Sequence, residues 1–412
     1  MRLLLGAYLC ALGASLAACV QTAARPEPTP APTPDAFAPA CSNPPPLVAP
    51  VASPALAEAL RGLSAGIEGE RQAGGLAGVS VGVVQDQTLL FAAGFGCADL
   101  ESRSPVTPET IVRIGSLTQV FEATAMMQLR DAGRLRLDDP VDRSVPEVWY
   151  RDPSGARVSP TWRQLAAHTS GLPHPIPLGL ESVSHLFRYV QSRSAAAEPG
   201  ARFAYSELGY AVLGQSIAKV AREAYHDMME RRLFQPLGMA STTYGVDSVD
   251  PARLASGYKR LELAEDGWRG KSAGYKNAFP PSGSILSSAS DLCRFLMLQF
   301  RDAPAAGRPV LTPASVREMW APVAPTGVQG RSVGIGWFVG PFGRYTVVRK
   351  DGGLPGFTAR VQLIPERKLG VVAFVNETPR LQRQRRHGIA QIERLILDAL
   401  LAVTPAAAPS PH

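Results

Sequence analysis

The sequence has few cysteines, and their spacing would not build a metal centre or a disulfide framework. Only five occur among 412 residues. Cys10 and Cys19 lie near the N-terminus, which leaves Cys41, Cys97 and Cys293, an odd number from which no pairing follows. We expect Cys97, on a strand, and Cys293, on a helix, to be small core residues. No metal site and no cofactor is predicted.

Histidine is equally scarce, with six residues in the chain. His412 is the last residue, and His387 ends a run of basic residues. His168 lies in "HTSG", where we expect it to hydrogen-bond loop backbone. A histidine-based catalytic triad is therefore poorly supported, and the alternative arrangement of serine with lysine and tyrosine has to be considered.

The positive charge is dispersed, which argues against a nucleic-acid partner. The formal net charge is +7, a balance that favours nucleic acid only where basic residues cluster. They do so only in "RLQRQRRH", Arg380 to His387, just before a predicted surface helix. We interpret this run as a solvated face, and we predict no nucleic-acid partner.

The N-terminus is typical of an exported protein. Met1 and Arg2 give a short positive start, and the apolar run Leu3 to Ala18 is too short for a comfortable membrane span. Residues 1–18 therefore predict a secretory signal peptide. The segment "LAAC" ending at Cys19 resembles a bacterial lipobox, in which this cysteine becomes the lipidated first residue. The alternative is an ordinary signal peptidase site with a chance cysteine.

Residues 19–54 are rich in proline and alanine, a composition that favours an extended tether over a packed core. A lipid anchor followed by a tether would hold a folded domain, residues 55–403, at some distance from a membrane. Residues 404–412 are expected to be disordered. Together these features predict a periplasmic protein anchored to a bacterial membrane.

Strand signals stand at both ends of this domain, with helical patterns between them. Ala55–Gln72 predicts an amphipathic helix, and Val79–Val84 with Thr88–Phe95 predicts a hairpin. Four more strand segments, "VGIGWFVG", "YTVVRKDG", "TARVQLIPE" and "LGVVAFVNE", precede a final helix, Ile389–Leu401. We predict an α/β (α+β) fold: one antiparallel sheet built from 55–115 and 333–403 and flanked by helices, with a mainly helical lobe, 116–332, inserted. A cleft between the lobes is the default site.

Six motifs in this domain resemble those of the class C β-lactamase and penicillin-binding protein-like serine hydrolases. The similarity covers Ala55 to Leu401. The motifs occur in that family's order and approximate spacing: "IGSLTQVFEATAMMQLRDAGRLRLDDPV", "LAAHTSGLP", "EPGARFAYSELGYAVLG", "LFQPLGM", "SGSILSSASDLCRFL" and "KDGGLPGF". The resemblance implies a β-lactamase/transpeptidase-like fold.

The resemblance also implies roles for individual residues. Ser116 falls on the nucleophile of S-x-x-K, Tyr205 on the tyrosine of Y-x-N that relays or takes a proton, and Lys350 on the strand cation of K-x-G. Gly352 and Gly353 follow the lysine, where close approach of substrate requires small residues.

The oxyanion hole implied by the resemblance uses the backbone amides of Ser116 and of a strand residue near Gly353 or Leu354.

Two positions depart from the family pattern. Gln119 stands at the lysine of S-x-x-K, and Glu207 stands at the asparagine of Y-x-N. The spacing of three places Gln119 beside Ser116 on one helix face, but glutamine cannot accept a proton. The Gln119 amide could donate to the Glu207 carboxylate instead. Lys350, then the only strong cation expected in the cleft, would pair with Glu207 or with substrate.

Each of these residues also has a simpler alternative role. Ser116 could be only a helix N-cap, Tyr205 a packing residue, Lys350 a solvated strand-end residue and Glu207 a side chain facing water.

The sequence thus predicts an exported serine hydrolase-like protein that hydrolyses an ester, amide, D-amino-acid peptide or β-lactam through an acyl-enzyme on Ser116. Its activity would be weakened or altered by the missing lysine, with Tyr205 or Glu207 as base. The alternative is an inactive homologue whose cleft binds cell-wall peptide or a protein partner.

Overall fold

The computed structural model describes residues 41–174, 176, 180, 182–260, 269–271, 283–302, 310–378 and 387–404. The predicted signal peptide, Cys19, most of the basic run and residues 405–412 of the predicted tail lie outside the described residues. No helix in the described part of the chain is long and apolar enough to span a membrane.

The helices of the described residues are α1 Pro54–Gly74, α2 Thr118–Asp131, α3 Trp162–Ala166, α4 Val183–Gln191, α5 Glu207–Ala221, α6 Tyr225–Met229, α7 Ala289–Gln299, α8 Pro313–Trp320 and α9 Ile389–Leu401. The strands are β1 Leu47–Val48, β2 Gly78–Gln85, β3 Thr88–Asp99, β4 Ser104–Pro105, β5 Val112–Arg113, β6 Tyr150–Arg151, β7 Arg157–Val158, β8 Tyr258–Arg260, β9 Arg269–Lys271, β10 Leu286–Ser287, β11 Ala324–Pro325, β12 Ser332–Val333, β13 Phe338–Phe342, β14 Tyr345–Leu354, β15 Phe357–Ile364 and β16 Leu369–Val375.

One antiparallel sheet joins the two ends of the domain. Its strands lie in the order β1-β3-β2-β16-β15-β14-β13-β12-β11, with β4 paired to β3. The junction is the pairing of β2 with β16, which runs from Val79 opposite Val375 to Gln85 opposite Leu369. The predicted fold class is confirmed: a sheet from both ends, flanked by helices, holds an inserted lobe that carries α2 to α8.

The two faces of the sheet are covered by different helices. On one face α1 and α9 pack over β2, β3 and β16, and they bury apolar side chains such as Leu60 and Ile396. On the other face the inserted lobe contributes α2, α5 and α7. Because strand side chains alternate between faces, Val347 of β14 lies on the α9 side and Val348 on the side of the inserted lobe.

Residues 41–53, which composition assigned to the tether, belong to the folded domain. Cys41 and Cys97 form a disulfide, so the expectation that Cys97 is only a small core residue is wrong. The Asn43 side chain donates to the backbone oxygens of Gly96 and Val106, and Leu47–Val48 pairs with β3. A proline-rich segment is extended, and an extended chain can equally complete a sheet edge.

We expect removal of this disulfide to destabilise the fold. It closes a loop across 56 residues, and in the chain-entropy account such a cross-link contributes about 2–4 kcal/mol. A Cys41→Ser, Cys97→Ala variant should therefore unfold at lower urea concentration than the oxidised wild type. The control is reductant, which should lower the wild-type midpoint to that of the variant and leave the variant unchanged. Identical midpoints for oxidised protein and variant would contradict the prediction.

Candidate active site

The inserted lobe touches the sheet where a short 3₁₀ turn, Gly115–Leu117, lies against β14. A Cβ on Gly352 would come within 1.9 Å of the Ile114 carbonyl oxygen, and one on Gly115 within 2.8 Å of the Gly353 backbone. Gly115 also has a positive φ of 55°, which favours glycine. The two backbones can approach this closely only because both positions lack a side chain. A Cβ on Gly353 would meet open space, so packing alone does not require that glycine.

Ser116 lies in this turn and is half-buried. The turn and α2 begin after Ile114 and Leu117 respectively, and neither N-terminus has a side-chain cap. Ser116 is therefore not a helix cap, and this alternative is excluded. Two hydrogen bonds to Ile285 hold the turn in place. The amide of Ile114 donates to the Ile285 oxygen, and the amide of Ile285 donates to the Thr118 hydroxyl.

Gln119 connects the two other predicted site residues. Its Oε1 accepts a hydrogen bond of 2.5 Å from Lys350 Nζ, and its Nε2 donates one of 2.9 Å to the Tyr205 hydroxyl. One neutral amide thus joins β14 to the loop before α5. We call Ser116, Gln119, Tyr205 and Lys350, which the structure brings together, the serine cluster.

The Gln119–Glu207 hydrogen bond expected from the sequence is not formed. Both polar atoms of Gln119 are occupied by Lys350 and Tyr205. Glu207 is the first residue of α5, just after the N-cap Ser206, whose hydroxyl accepts from the Gly209 amide. A carboxylate is favoured there by the helix dipole. Lys350 pairs with Gln119 and not with Glu207, so the expected Lys350–Glu207 pair is wrong; the alternative, pairing of Lys350 with substrate, stays a prediction.

Lys350 is almost entirely removed from water, with 1% of its surface exposed, which excludes the alternative of a solvated strand-end residue. Burial lowers the pKa of its amine from 10.5 to about 7, although the negative charges of Asp351 and Glu122 act in the opposite direction. The ring centroids of Tyr205, Tyr210 and Phe338 lie 5.2–5.8 Å from its Nζ. A buried lysine among aromatic rings can exist as a neutral amine near pH 7.

Tyr205 shows the opposite shift. Burial raises the pKa of its phenol to about 12, the Glu207 charge adds to this, and hydrogen bonds from Ser116 and Gln119 act against it. The phenol is therefore protonated at neutral pH. It interacts with Ser116 on one side and with Gln119 on the other. A protonated phenol in this position can pass a proton on, but it cannot act as a free base.

His168 holds the loop that presents Tyr205, as expected from the sequence. Its Nδ1 accepts from the Ser206 amide at 3.1 Å, and its ring centroid lies 4.4 Å from that of Tyr205. Burial, together with the charges of Lys350 and His174, lowers the pKa of His168 well below 6.5. The neutral imidazole therefore supports the loop without adding a positive charge to the cluster.

Sequence reasoning missed Glu122, which is fully buried one helical turn beyond Gln119 in α2. Its Oε1 accepts from the Tyr225 hydroxyl at 3.1 Å, and Tyr225 is hydrogen-bonded to Tyr244 at 2.9 Å. The available signal was a carboxylate three residues after Gln119, between the apolar residues Phe121 and Ala123. Its charge raises the pKa values of Lys350 and Tyr205, so it belongs to the electrostatic surroundings of the cluster.

Other potential sites are accounted for. The string "GVSVG", Gly78 to Gly82, lies inside β2, where the Ser80 hydroxyl donates to the Thr107 oxygen, so it forms no nucleophile elbow. Within the described residues, no group of three or more His, Cys, Asp or Glu side chains could hold a metal ion.

The fold is that of serine hydrolases of the β-lactamase and penicillin-binding protein type. The structure is similar to the octameric penicillin-binding protein homologue from Pyrococcus abyssi, with a TM-score of 0.71 and 26% identity over 84% of this chain and 78% of that one. It is also similar in fold to a class C β-lactamase, with a TM-score of 0.70, 20% identity, and 85% and 98% of the two chains covered.

The chain belongs to the β-lactamase family, whose family model, described as "Beta-lactamase", matches residues 56–395. It is 28% identical to the human "Putative beta-lactamase-like 1" over 81% of this chain and 67% of that protein. It is 29% identical to the "D-alanyl-D-alanine-carboxypeptidase/endopeptidase AmpH" of Escherichia coli over 66% of this chain and 72% of that protein. The chain spans half the length of a third relative, a Dictyostelium discoideum "Beta-lactamase-like protein 2", at 27% identity.

We expect Gln119→Met to destabilise the protein by about 1–3 kcal/mol, because it leaves the Lys350 amine and the Tyr205 hydroxyl without this partner in the interior. Gln72→Met, at an exposed position of α1, is the matched control and should change stability by no more than about 0.5 kcal/mol. Urea unfolding of both variants measures the difference. Equal, small losses would show that the amide bridge contributes nothing to stability.

The lowered pKa of Lys350 predicts a pH-dependent stability. Between about 7, its folded value, and 10.5, its ordinary value, the unfolded chain binds a proton that the folded protein does not. Stability therefore rises with pH across this window. We expect the free energy of unfolding to increase more in wild type than in Lys350→Met, which cannot titrate there, between about pH 6.5 and about pH 9.5. Equal increases would contradict a lysine that is neutral in the fold.

Proposed function

We propose that the protein is a serine hydrolase in which Lys350 takes over the proton-accepting role of the missing S-x-x-K lysine. The observation that carries the proposal is the Gln119 amide, which holds the buried Lys350 amine on its oxygen and the Tyr205 hydroxyl on its nitrogen, with Tyr205 in turn beside Ser116. A general base works best when its pKa lies near the operating pH. Lys350, with a pKa of about 7, meets this condition, whereas Tyr205 and Gln119 do not.

In the proposed reaction, Ser116 Oγ forms a bond to the substrate carbonyl carbon. Its proton passes to the Tyr205 oxygen as the phenolic proton leaves, through a bridging water, for the neutral amine of Lys350. The Gln119 amide cannot carry this proton itself, because it donates to Tyr205 and accepts from Lys350. That amine keeps two N–H groups, so it can donate to Gln119 while its lone pair accepts the proton. The proton then returns along the same path to the leaving group, which gives an acyl-enzyme. Water releases the acyl group with the same residues as base and acid.

The Gln119 amide would hold the Lys350 amine and the Tyr205 hydroxyl at a fixed separation for this transfer. It donates to the Tyr205 oxygen, where negative charge develops, and it accepts from Lys350 in both protonation states. The backbone amides of Ser116 and of Gly353 or Leu354 remain the proposed oxyanion hole. The contact between the 3₁₀ turn and β14 supports this, because it brings these two segments together.

The proposed substrates are esters, amides, D-amino-acid peptides or β-lactams. Family membership supports this range, as does a relative named for D-alanyl-D-alanine carboxypeptidase activity. We further propose that the protein is exported to the periplasm and anchored through a lipid on Cys19. The N-terminal sequence supports export, and so does the Cys41–Cys97 disulfide, since such bonds persist in oxidising compartments.

The alternative is a cleft that binds cell-wall peptide or a protein partner without turnover. The observations that favour it are the neutral Gln119 at the family's lysine position and the raised pKa of Tyr205. The two functions differ in whether Ser116 becomes covalently modified.

The test is intact-protein mass spectrometry of the full chain after incubation with a fluorophosphonate or, separately, a β-lactam. We expect a single adduct that Ser116→Ala abolishes and Ser102→Ala, at an exposed serine, leaves unchanged. The labelling rate should rise with pH through about 7, the pKa of Lys350. Lys350→Met should lower the rate by about 10²- to 10⁴-fold and flatten the pH profile, because the base is gone.

Two results would overturn parts of the proposal. Labelling that is unaffected by Lys350→Met would remove this lysine from proton transfer. No adduct on folded wild type, with labelling restored by Gln119→Lys and Glu207→Asn together, would mean that the cleft binds and does not hydrolyse.

A further inference from the structure

A second cavity of about 240 Å³ lies on the other face of the sheet, between β13, β14, β15 and the start of α9. The charged and amide side chains that line it are Arg331, Arg349, Arg360, Gln362, Gln391 and Arg394. Four arginines therefore line one small space, and no described carboxylate lines it. The apolar part of the wall includes Pro341, Phe342 and Val347.

This cavity is separate from the serine cluster. Lys350 and Val348 point towards the inserted lobe, whereas Val347 packs on the side of α9. Arg349 stands opposite Gln362 across the β14–β15 ladder, so both share the face of Val347. One strand thus carries Lys350 on the cleft side and Arg349 on the cavity side.

The nearby carboxylates do not neutralise all four arginines. Arg360 forms two close ion pairs: it donates to Asp351 at 2.9 Å and to the buried Glu393 at 2.9 Å. Arg349 lies 3.8 Å from the nearest Asp351 oxygen. For Arg331, no carboxylate among the described residues lies within ion-pair distance.

The remaining arginine, Arg394, pairs with Asp398 on the exposed surface of α9. The cavity therefore keeps an excess of positive charge. Arg331 and Arg349 contribute most of it, and Arg394, whose charge is partly balanced by Asp398, contributes less.

The arginines also repel each other. Burial lowers the pKa of Arg349, and the charges of Arg331 and Arg360 lower it further, against the attraction of Asp351. Ala390 and Gln391, in the first turn of α9, add the positive end of a 13-residue helix to the same wall. Like charges held together in a partly desolvated space destabilise the unliganded protein, and an anion would relieve that repulsion.

We propose that this cavity binds a phosphate-type oxyanion, either free or as a phosphomonoester. Guanidinium groups match the geometry of phosphate oxygens and can donate two hydrogen bonds to each anion. Gln391 supplies a further donor, whereas the Gln362 amide nitrogen already donates to Glu393. The space is several times the roughly 30 Å³ that a water molecule occupies in the liquid, and its apolar wall would accept the organic part of an ester. The site does not depend on catalysis at Ser116.

The test is calorimetric titration of the full chain with inorganic phosphate and, separately, with glycerol phosphate, a soluble headgroup analogue, at constant ionic strength. Arg349→Gln and Arg394→Gln should each weaken binding by about tenfold or more, since each removes a charged donor. The matched control is Arg143→Gln. Arg143 is 66% exposed and pairs with Asp139 four residues away, as Arg394, 63% exposed, does with Asp398.

Tighter binding of glycerol phosphate than of phosphate would assign the site to an esterified headgroup. Equal or weaker binding would assign it to free phosphate. Both outcomes support the proposal if the two cavity variants lose affinity. No heat of binding from either anion would overturn it. Equal losses in Arg394→Gln and Arg143→Gln would also overturn it, because binding would then reflect general surface charge. Ser116 labelling of the same variants shows separately whether the cleft is intact.

Discussion

The close contact between the Gly115–Leu117 turn and β14 determines how the inserted lobe meets the sheet. Gly352 lies so near the Ile114 carbonyl that no side chain fits between them. This contact fixes Ser116 and Lys350 relative to each other, although one belongs to the helical lobe and the other to the sheet. Because α2 starts directly after the turn and is buried on most sides, the position of the serine is set by the core of the lobe.

Beside that contact, Gln119 places a buried neutral side chain where the S-x-x-K motif has a charged one. A lysine at this position would place a second cation beside Lys350. The amide instead accepts from Lys350 and donates to Tyr205, and Lys350 can lose its proton because no neighbouring carboxylate forms a direct ion pair with it among the described residues. Burial then decides the protonation state of the cluster: it favours a neutral amine and a neutral phenol. A site with little net charge can still move protons, because a neutral amine can accept a proton and a neutral phenol can donate one.

The architecture could be predicted because its elements are strongly periodic. The β2–β3 hairpin, the paired strands β14 to β16 and the helix α9 follow from alternating or helical patterns, and the six motifs place Ser116, Tyr205 and Lys350 in family order. The segment "VGIGWFVG" was expected to be one strand, but it turns between β12 and β13, where Gly336 has a positive φ of 81°. The partners of Gln119 could not be predicted, because Lys350 is 231 residues away and its depth in the cleft depends on packing. The Cys41–Cys97 pair could not be predicted for a different reason: three candidate cysteines do not define a pairing.

The disulfide also fixes where mechanical load enters the fold. A pull applied to the chain on the N-terminal side of Cys41 is passed through the sulfur atoms to Cys97 in β3, and it bypasses β1 and α1. In the sheet, β3 lies between β1 and β2 and is joined to β2 along almost its whole length. Such a force therefore acts first on a strand that is hydrogen-bonded on both sides, and not on the edge strand β1.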